Sequence, residues 1–100
     1  MRAIKITSVV DLVDTESSPQ ALRQAVNGGT ESIRLRDGGV MIVNETGATN
    51  GMPQNPLASL VAGTMVYGPA LIVGESDTGC YTDVPEAFME LLKLDIEATE

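Results

Sequence analysis

The chain contains no histidine and no tryptophan, and its one cysteine is Cys80. Without histidine it lacks the commonest general base, the usual partner of a serine or cysteine nucleophile, and a frequent zinc ligand. A lone cysteine cannot form an internal disulfide, which is typical of proteins in a reducing compartment. Cys80 also follows an acidic turn, where negative neighbours oppose formation of the reactive thiolate. We therefore expect no enzymatic activity, no catalytic residue, no cofactor and a cytoplasmic location.

Basic residues are scarce and unevenly placed. Six Lys and Arg stand against fourteen Asp and Glu, which gives a net charge of −8. No Lys or Arg lies between Arg36 and Lys93. Nucleic-acid binding needs clustered cations, so this distribution argues against direct contact with DNA or RNA. An acidic surface would instead attract a basic protein, unless its charge serves only to keep a small protein in solution.

Long apolar runs are lacking as well. The longest, residues 60–73, is interrupted by two glycines, a threonine and a proline. It is shorter than the roughly 18 residues that a membrane-spanning helix needs. Residues 1–5 have no long apolar centre, so we expect no signal peptide and no membrane association. Aromatic residues are limited to Tyr67, Tyr81 and Phe88, and the core must therefore consist mainly of aliphatic side chains and methionine.

The pattern of apolar residues and turn residues predicts one α+β domain over residues 1–100. We expect a small, mainly antiparallel sheet of about four or five strands, with two to three helices packed on one of its faces. The first predicted elements are a strand at 2–7 and an apolar stretch at 9–13 that either continues this strand or pairs beside it. A helix between Ser18 and Gly29 follows, and then a hairpin of strands 32–36 and 40–43 around Asp37-Gly38-Gly39. The remaining elements are a short helix at 55–62, a strand at 69–73, an edge strand at 80–82, and a helix from Asp83 whose apolar face runs to Ile96.

Several helix ends carry recognisable signals. Ser18 and Asn55 each precede a proline, which is typical of an N-cap followed by proline at the first helical position. Gly28-Gly29 is expected to end the first helix because glycine accepts a positive φ. Asp83 and Glu86 have the spacing of a capping box at the start of the last helix.

The polar loop from Asn44 to Gln54 is the best candidate for a binding site, because loops on a fixed scaffold often carry function. Its asparagines either hold the loop in shape, as turn and cap residues, or contact a polar ligand or partner. An acidic turn after the last long strand is a further candidate. The candidate binding residues are Asn44, Glu45, Asn50, Met52, Asn55, Tyr67, Glu75 and Asp77.

Four acidic residues suggest comparison with a calcium-binding loop. Glu75, Asp77, Asp83 and Glu86 occupy positions 1, 3, 9 and 12 of a twelve-residue window. However, glycine and Cys80 stand where an EF-hand needs an oxygen ligand and a turn glycine, respectively. We therefore expect no metal site here, and instead a turn followed by a capped helix.

Four segments, in order and spacing, resemble a family of short domains known as domain-of-unknown-function family 3846. They are Val43-Asn44-Glu45-Thr46-Gly47, Asn55-Pro56-Leu57-Ala58, the strand from Tyr67 to Gly74, and Asp77-Thr78-Gly79. The resemblance covers about residues 31–92. Members occur in bacteria, phages and mobile elements, and the resemblance implies an accessory protein, with anti-defence activity among the candidates. It assigns no catalytic residue, because the family has none established.

Two classes of function remain open at this point. The first is a non-catalytic protein that binds a basic host or defence protein through an acidic surface. The second is a domain that sequesters a small ligand in a pocket between the loop at 44–55 and the sheet. A homo-oligomer is a further alternative, since Met65, Val66 and Tyr67 either fold into the core or leave an apolar patch.

Overall fold

A computed structural model of the chain describes residues 1–92. These residues form β1 (Arg2–Ile6), β2 (Val10–Asp14), α1 (Pro19–Val26), β3 (Thr30–Arg34), β4 (Gly39–Asn44), α2 (Pro56–Ala62), β5 (Ala70–Glu75), β6 (Tyr81–Thr82) and α3 (Glu86–Leu91). The α+β class is as predicted. The predicted extension of the last helix to Ile96 lies outside the described residues.

The strands form one six-stranded sheet in the order β2-β1-β5-β4-β3, with β6 pairing β5 beyond the start of β1. Every pairing is antiparallel. The apolar stretch after β1 does not continue that strand. It turns back as β2 and pairs Ile6 with Val10 and Arg2 with Asp14. The predicted hairpin is confirmed as β3 and β4, with positive φ at Asp37 (58°) and Gly38 (77°) in its turn.

Helices cover both faces of the sheet, and the expectation that they share one face is wrong. Leu22 and Val26 of α1 pack on one face. Ala58 of α2 and Phe88 of α3 pack on the other. All of β4 is buried, and so is β5 up to Gly74, because their apolar residues point alternately to the two faces. Each face of these two strands therefore needs its own cover.

Two of the predicted helix starts are confirmed. The Ser18 hydroxyl accepts a hydrogen bond from the backbone N of Ala21 at 3.2 Å. The Asn55 side-chain oxygen accepts one from the backbone N of Ala58 at 3.2 Å. In both helices the next residue is proline, which has no N–H to leave unpaired. Local sequence thus sets where α1 and α2 begin.

Two other predicted helix ends are wrong. The residue with left-handed backbone at the end of α1 is Asn27, with φ of 64°, and the first glycine comes after it. Asparagine tolerates this conformation better than most residues with a side chain. The predicted capping box does not form, since α3 begins at Glu86 without a side-chain cap. Asp83 instead accepts a hydrogen bond from the backbone N of Arg2 at 2.7 Å.

The register of β4 and β5 separates two ends of the sheet. Gly39 pairs with Gly74 at one end, and Val43 pairs with Ala70 at the other. The second of these is the loop end, where the polar loop follows Asn44. We call the first the acidic end, and define it by the carboxylates of Asp14, Asp37, Glu75, Asp77 and Asp83.

Candidate functional site

The candidate residues do not form one site. Six of them, Asn44, Glu45, Asn50, Met52, Asn55 and Tyr67, lie at the loop end. Glu75 and Asp77 lie at the acidic end, beyond the pairing of Gly39 with Gly74. The two groups are separated by the length of β5. Each end must therefore be considered as a separate surface.

Asn44 is buried at the end of β4 and ties α1 to the loop. Its side-chain nitrogen donates to the backbone oxygens of Val26 at 3.0 Å and Asn27 at 3.2 Å. Its side-chain oxygen accepts from the backbone N of Thr46 at 2.9 Å and from the Thr46 hydroxyl at 3.2 Å. Both amide hydrogens are used inside the protein, so this side chain has no donor left for a ligand.

Asn55 is buried as well and joins three segments. Its side-chain nitrogen donates to the backbone oxygens of Ile6 and Gly68, both at 2.9 Å. Its side-chain oxygen caps α2. The amide therefore links β1, the start of α2 and the turn before β5. Asn55 is a structural residue, and the interpretation of the loop asparagines as turn and cap residues holds for it.

The remaining loop residues are held close to the protein. Asn50 is exposed, and its side-chain nitrogen donates to the Thr46 hydroxyl at 2.8 Å. Gly47 is buried against the backbone, because a Cβ there would lie 2.5 Å from the carbonyl oxygen of Tyr67. A Cβ on Gly68 would lie 2.5 Å from the Met52 sulfur. The loop therefore packs closely against the segment from Tyr67 to Gly68.

A cavity of about 320 Å³ lies at the loop end, between the sheet, the first turn of the loop and the segment after α2. Glu45 and Tyr67 are the candidate residues in its wall whose side chains make no hydrogen bond or ion pair within residues 1–92. Asn50, Met52 and Asn55 are not part of it. The wall consists of Glu31, Ile33, Val43, Asn44, Glu45, Gly47, Ala48, Thr64, Met65, Val66 and Tyr67.

Glu31 lines the loop-end cavity but is not among the binding residues predicted from the sequence. It lies on β3 and pairs with Val43 across the hairpin. The hairpin itself was predictable, and its register places Glu31 beside the strand that leads into the loop. The signal was therefore present, but it requires counting the cross-strand pairs rather than reading the loop alone.

The acidic end has few ion pairs. Asp37 contacts Arg36 at 3.5 Å, and both side chains are more than half exposed. An exposed pair of this kind contributes about 0–1 kcal/mol. Glu75 and Asp77 make no ion pair with any other residue of the 1–92 segment. Three arginines lie at the same end: Arg2 at the start of β1, Arg34 at the end of β3 and Arg36 in the turn between β3 and β4.

An apolar groove of about 380 Å³ separates α2 from α3. Leu60 and Leu91 are 79% and 52% exposed at its rim. Residues 65–67, for which the sequence leaves both core packing and an apolar patch open, divide between the two, because Val66 is buried whereas Met65 is 56% exposed. Exposed apolar side chains are therefore spread over the described residues, with Leu60 and Leu91 at this groove and Val9, Leu12 and Met65 elsewhere.

Two chemical properties of residues 1–92 can be stated directly. This part of the chain contains no group of three or more Cys, Asp or Glu side chains placed to hold a metal ion. It also contains no helix with the length and apolarity required to cross a bilayer.

These observations describe a class of small α+β protein, in which a sheet covered on both faces separates an acidic end from a polar loop cavity. The family model of Domain of unknown function (DUF3846) matches residues 1–96, and the chain belongs to this family. The match includes the first thirty residues, which the motif resemblance did not cover. A search of curated proteins found no match, and a search of solved structures found none.

Proposed function

We propose that the protein is a non-catalytic binding protein that recognises a basic protein through its acidic end. The observation that supports this most is the pair Glu75 and Asp77, half-buried and exposed respectively, which make no ion pair among the described residues. Charged groups of this kind accelerate encounter with an oppositely charged partner and select against wrong ones.

The turn that carries Asp77 is well ordered by hydrogen bonds. The Ser76 backbone N donates to the Cys80 carbonyl at 2.8 Å, and the Gly79 N donates to the Ser76 carbonyl at 2.9 Å. The Ser76 hydroxyl also lies 2.9 Å from the Thr78 hydroxyl. A partner would therefore meet a carboxylate whose backbone is already positioned, which lowers the entropy cost of binding.

The partner that we propose is a basic host or defence protein. This choice follows from the family resemblance together with the net charge of −8. A protein that normally binds nucleic acid would offer the required basic surface. The acidic end would then occupy that surface directly.

The test is a pull-down from host lysate at low salt with the tagged protein. We expect one specific basic protein to be retained and to be released at about 0.5 M salt, where the Debye length falls to a few ångströms. Removing the two carboxylates of the acidic end that lack ion pairs within residues 1–92, with Glu75→Gln and Asp77→Asn, should abolish retention. The matched control, Glu31→Gln and Glu45→Gln, removes the same charge at the loop end and should retain the partner. Equal loss in both variants, or no partner at any salt concentration, would contradict the proposal.

A second candidate function is the binding of a small ligand in the loop-end cavity. Its volume of about 320 Å³ lies in the range of small-molecule sites. The wall combines buried Val43 and Val66 with polar side chains, as ligand sites do. A thermal-shift screen tests it, because a ligand at 100 times its dissociation constant adds about 2.7 kcal/mol of stability. A screen with no shift would exclude this function.

A further inference from the structure

We infer that the ligand of the loop-end cavity is an organic cation, an amine or guanidinium group on a short apolar chain. This inference rests on the second candidate function and specifies its ligand class. It follows from the positions of the Glu31 and Glu45 carboxylates, from the apolar and aromatic residues around them, and from the lack of Lys and Arg in the described wall.

Glu31 and Glu45 are diagonal neighbours on one face of the sheet. Glu31 pairs with Val43, and Glu45 follows Val43 by two residues. The Glu45 backbone N donates to the Gly29 carbonyl at 3.0 Å, which continues the ladder beyond the strands. Side chains at such diagonal positions lie about 7–8 Å apart at their origins, within reach of a single bound group.

Gly29 gives the Glu45 side chain its place. A Cβ on Gly29 would lie 2.2 Å from the Glu45 carboxylate oxygen, so the carboxylate occupies the space that a larger residue would fill. The Glu45 side chain therefore lies toward β3, which is the strand that carries Glu31. The missing side chain at residue 29 leaves room for the Glu45 carboxylate beside β3, and the exposed side chains of Glu31 and Glu45 line the same cavity.

The wall contains no positive charge to balance them. None of the described wall residues is Lys or Arg, and neither glutamate has an ion pair within residues 1–92. Two like charges at this spacing repel each other in the free protein. A bound cation would remove that repulsion and form charge-assisted hydrogen bonds with both carboxylates. An anionic ligand would instead be repelled by both carboxylates.

The rest of the wall suits the chain of such a ligand. Ile33 and Val43 lie on the same face of the hairpin as Glu31 and form an apolar floor. Tyr67 is half-buried in the same wall, and aromatic rings attract cations. A divalent metal ion fits less well, because calcium takes six to eight oxygen ligands and the wall offers two carboxylates.

The experiment is a calorimetric titration of the whole protein with agmatine, which carries an amine and a guanidinium on a four-carbon chain. Butane-1,4-diol serves as the uncharged counterpart. We expect saturable binding of agmatine at about 0.15 M salt, where distant charges are screened, and no binding of the diol. Glu31→Gln and Glu45→Gln should each weaken agmatine binding about tenfold, the value for loss of one charged hydrogen bond. Glu75→Gln, the same change at the acidic end, should leave binding unchanged.

Gly29→Ala is a second variant that keeps both charges. It should displace the Glu45 carboxylate and weaken agmatine binding while circular dichroism stays unchanged. Agmatine binding that is insensitive to Glu31→Gln and Glu45→Gln, or equally sensitive to Glu75→Gln, would overturn the inference. So would displacement of agmatine by millimolar calcium. Binding of a neutral compound alone would preserve the second candidate function and refute the cation. No shift in either the screen or the titration would refute both.

Discussion

At the scale of single residues, two buried asparagines carry much of the long-range organisation. Asn44 and Asn55 each use one amide to join segments that are far apart in sequence. Because these amides lie away from water, removing one deprives buried backbone oxygens of a hydrogen bond that water does not replace. Their presence in a polar loop suggests binding, but their hydrogen bonds show that they hold the scaffold.

The first prediction concerns Asn55→Ala. It removes the N-cap of α2 and the two buried hydrogen bonds that the side-chain nitrogen donates to the carbonyls of Ile6 and Gly68. We expect a loss of about 2–4 kcal/mol in the free energy of unfolding, measured by urea denaturation. Asn50→Ala is the control, since that side chain is exposed and should change stability by about 0.5 kcal/mol or less. Similar losses in the two variants would contradict this role.

The second prediction concerns the end of α1. Asn27 has φ of 64°, a conformation that most residues with a Cβ adopt at a cost. Asn27→Ala should therefore destabilise the protein by about 1 kcal/mol, whereas Asn27→Gly should change it by less than about 0.5 kcal/mol. Thermal unfolding of the two variants side by side checks this. An alanine variant as stable as the glycine variant would argue that the backbone is not strained there.

At the scale of elements, the packing of α3 depends on two paired glycines in the sheet, which leave room because they have no side chains. Gly39 and Gly74 pair with each other across β4 and β5. A Cβ on Gly39 would lie 2.5 Å from the Phe88 ring, and one on Gly74 would lie 2.4 Å from the Asp83 carbonyl. The glycine pair thus lets the segment from β6 to α3 approach the sheet closely. A helix of this length is stable only through such packing.

The third prediction follows from this approach. Gly74→Ala should cost about 1–3 kcal/mol of stability, because the added methyl meets backbone atoms that cannot move aside easily. Gly29→Ala is the matched control. Its methyl meets the flexible end of Glu45, so we expect a change of about 0.5 kcal/mol or less. Chemical denaturation of both variants gives the comparison, and a Gly74→Ala protein with unchanged stability would contradict it.

At the scale of the whole molecule, the charge is distributed unequally between the two ends of the sheet. The acidic end holds five carboxylates together with three arginines and the N-terminal amine of Met1, which lies 3.2 Å from Asp14, whereas the wall of the loop-end cavity holds Glu31 and Glu45 and no Lys or Arg. Glu75 and Asp77 make no ion pair within residues 1–92, and like charges of this kind steer partners but repel each other in the folded state. A surface kept for binding would therefore reduce the stability of the free protein.

The fourth prediction tests that repulsion. Raising the salt from about 0.05 to 0.5 M should stabilise the protein against urea by a few tenths to about 1 kcal/mol, because salt screens exposed charges. The variant with Glu75→Gln and Asp77→Asn should be more stable at low salt and respond less to added salt. An identical salt response in the variant and the original protein would mean that these carboxylates do not repel each other measurably.

Much of the fold could be predicted from sequence because the signals are local. The caps at Ser18 and Asn55 and the turn at Asp37-Gly38 lie within a few residues of the backbone groups they satisfy. The capping box failed for the opposite reason. The Asp83 carboxylate accepts a hydrogen bond from the backbone N of Arg2, which is eighty-one residues away along the chain, and does not cap α3.

The candidate site was less predictable than the fold. A loop rich in asparagine indicates either ligand contact or internal hydrogen bonds, and sequence cannot choose between them. The choice depended on which carbonyls lie near each amide after folding. Strand register places Glu31 in the cavity wall, and it places Glu75 and Asp77 at the opposite end of the sheet from the other candidate residues.

The amino-acid sequence by itself determined the α+β class, the hairpin, two helix starts and the family, since short-range backbone preferences and apolar periodicity suffice for these. Tertiary structure alone decided that helices cover both faces, that Glu75 and Asp77 lie at the end of the sheet opposite the polar loop, and that Glu31 and Glu45 share a cavity. These features depend on the order and register of strands distant in sequence, such as β1 beside β5, which no local pattern specifies.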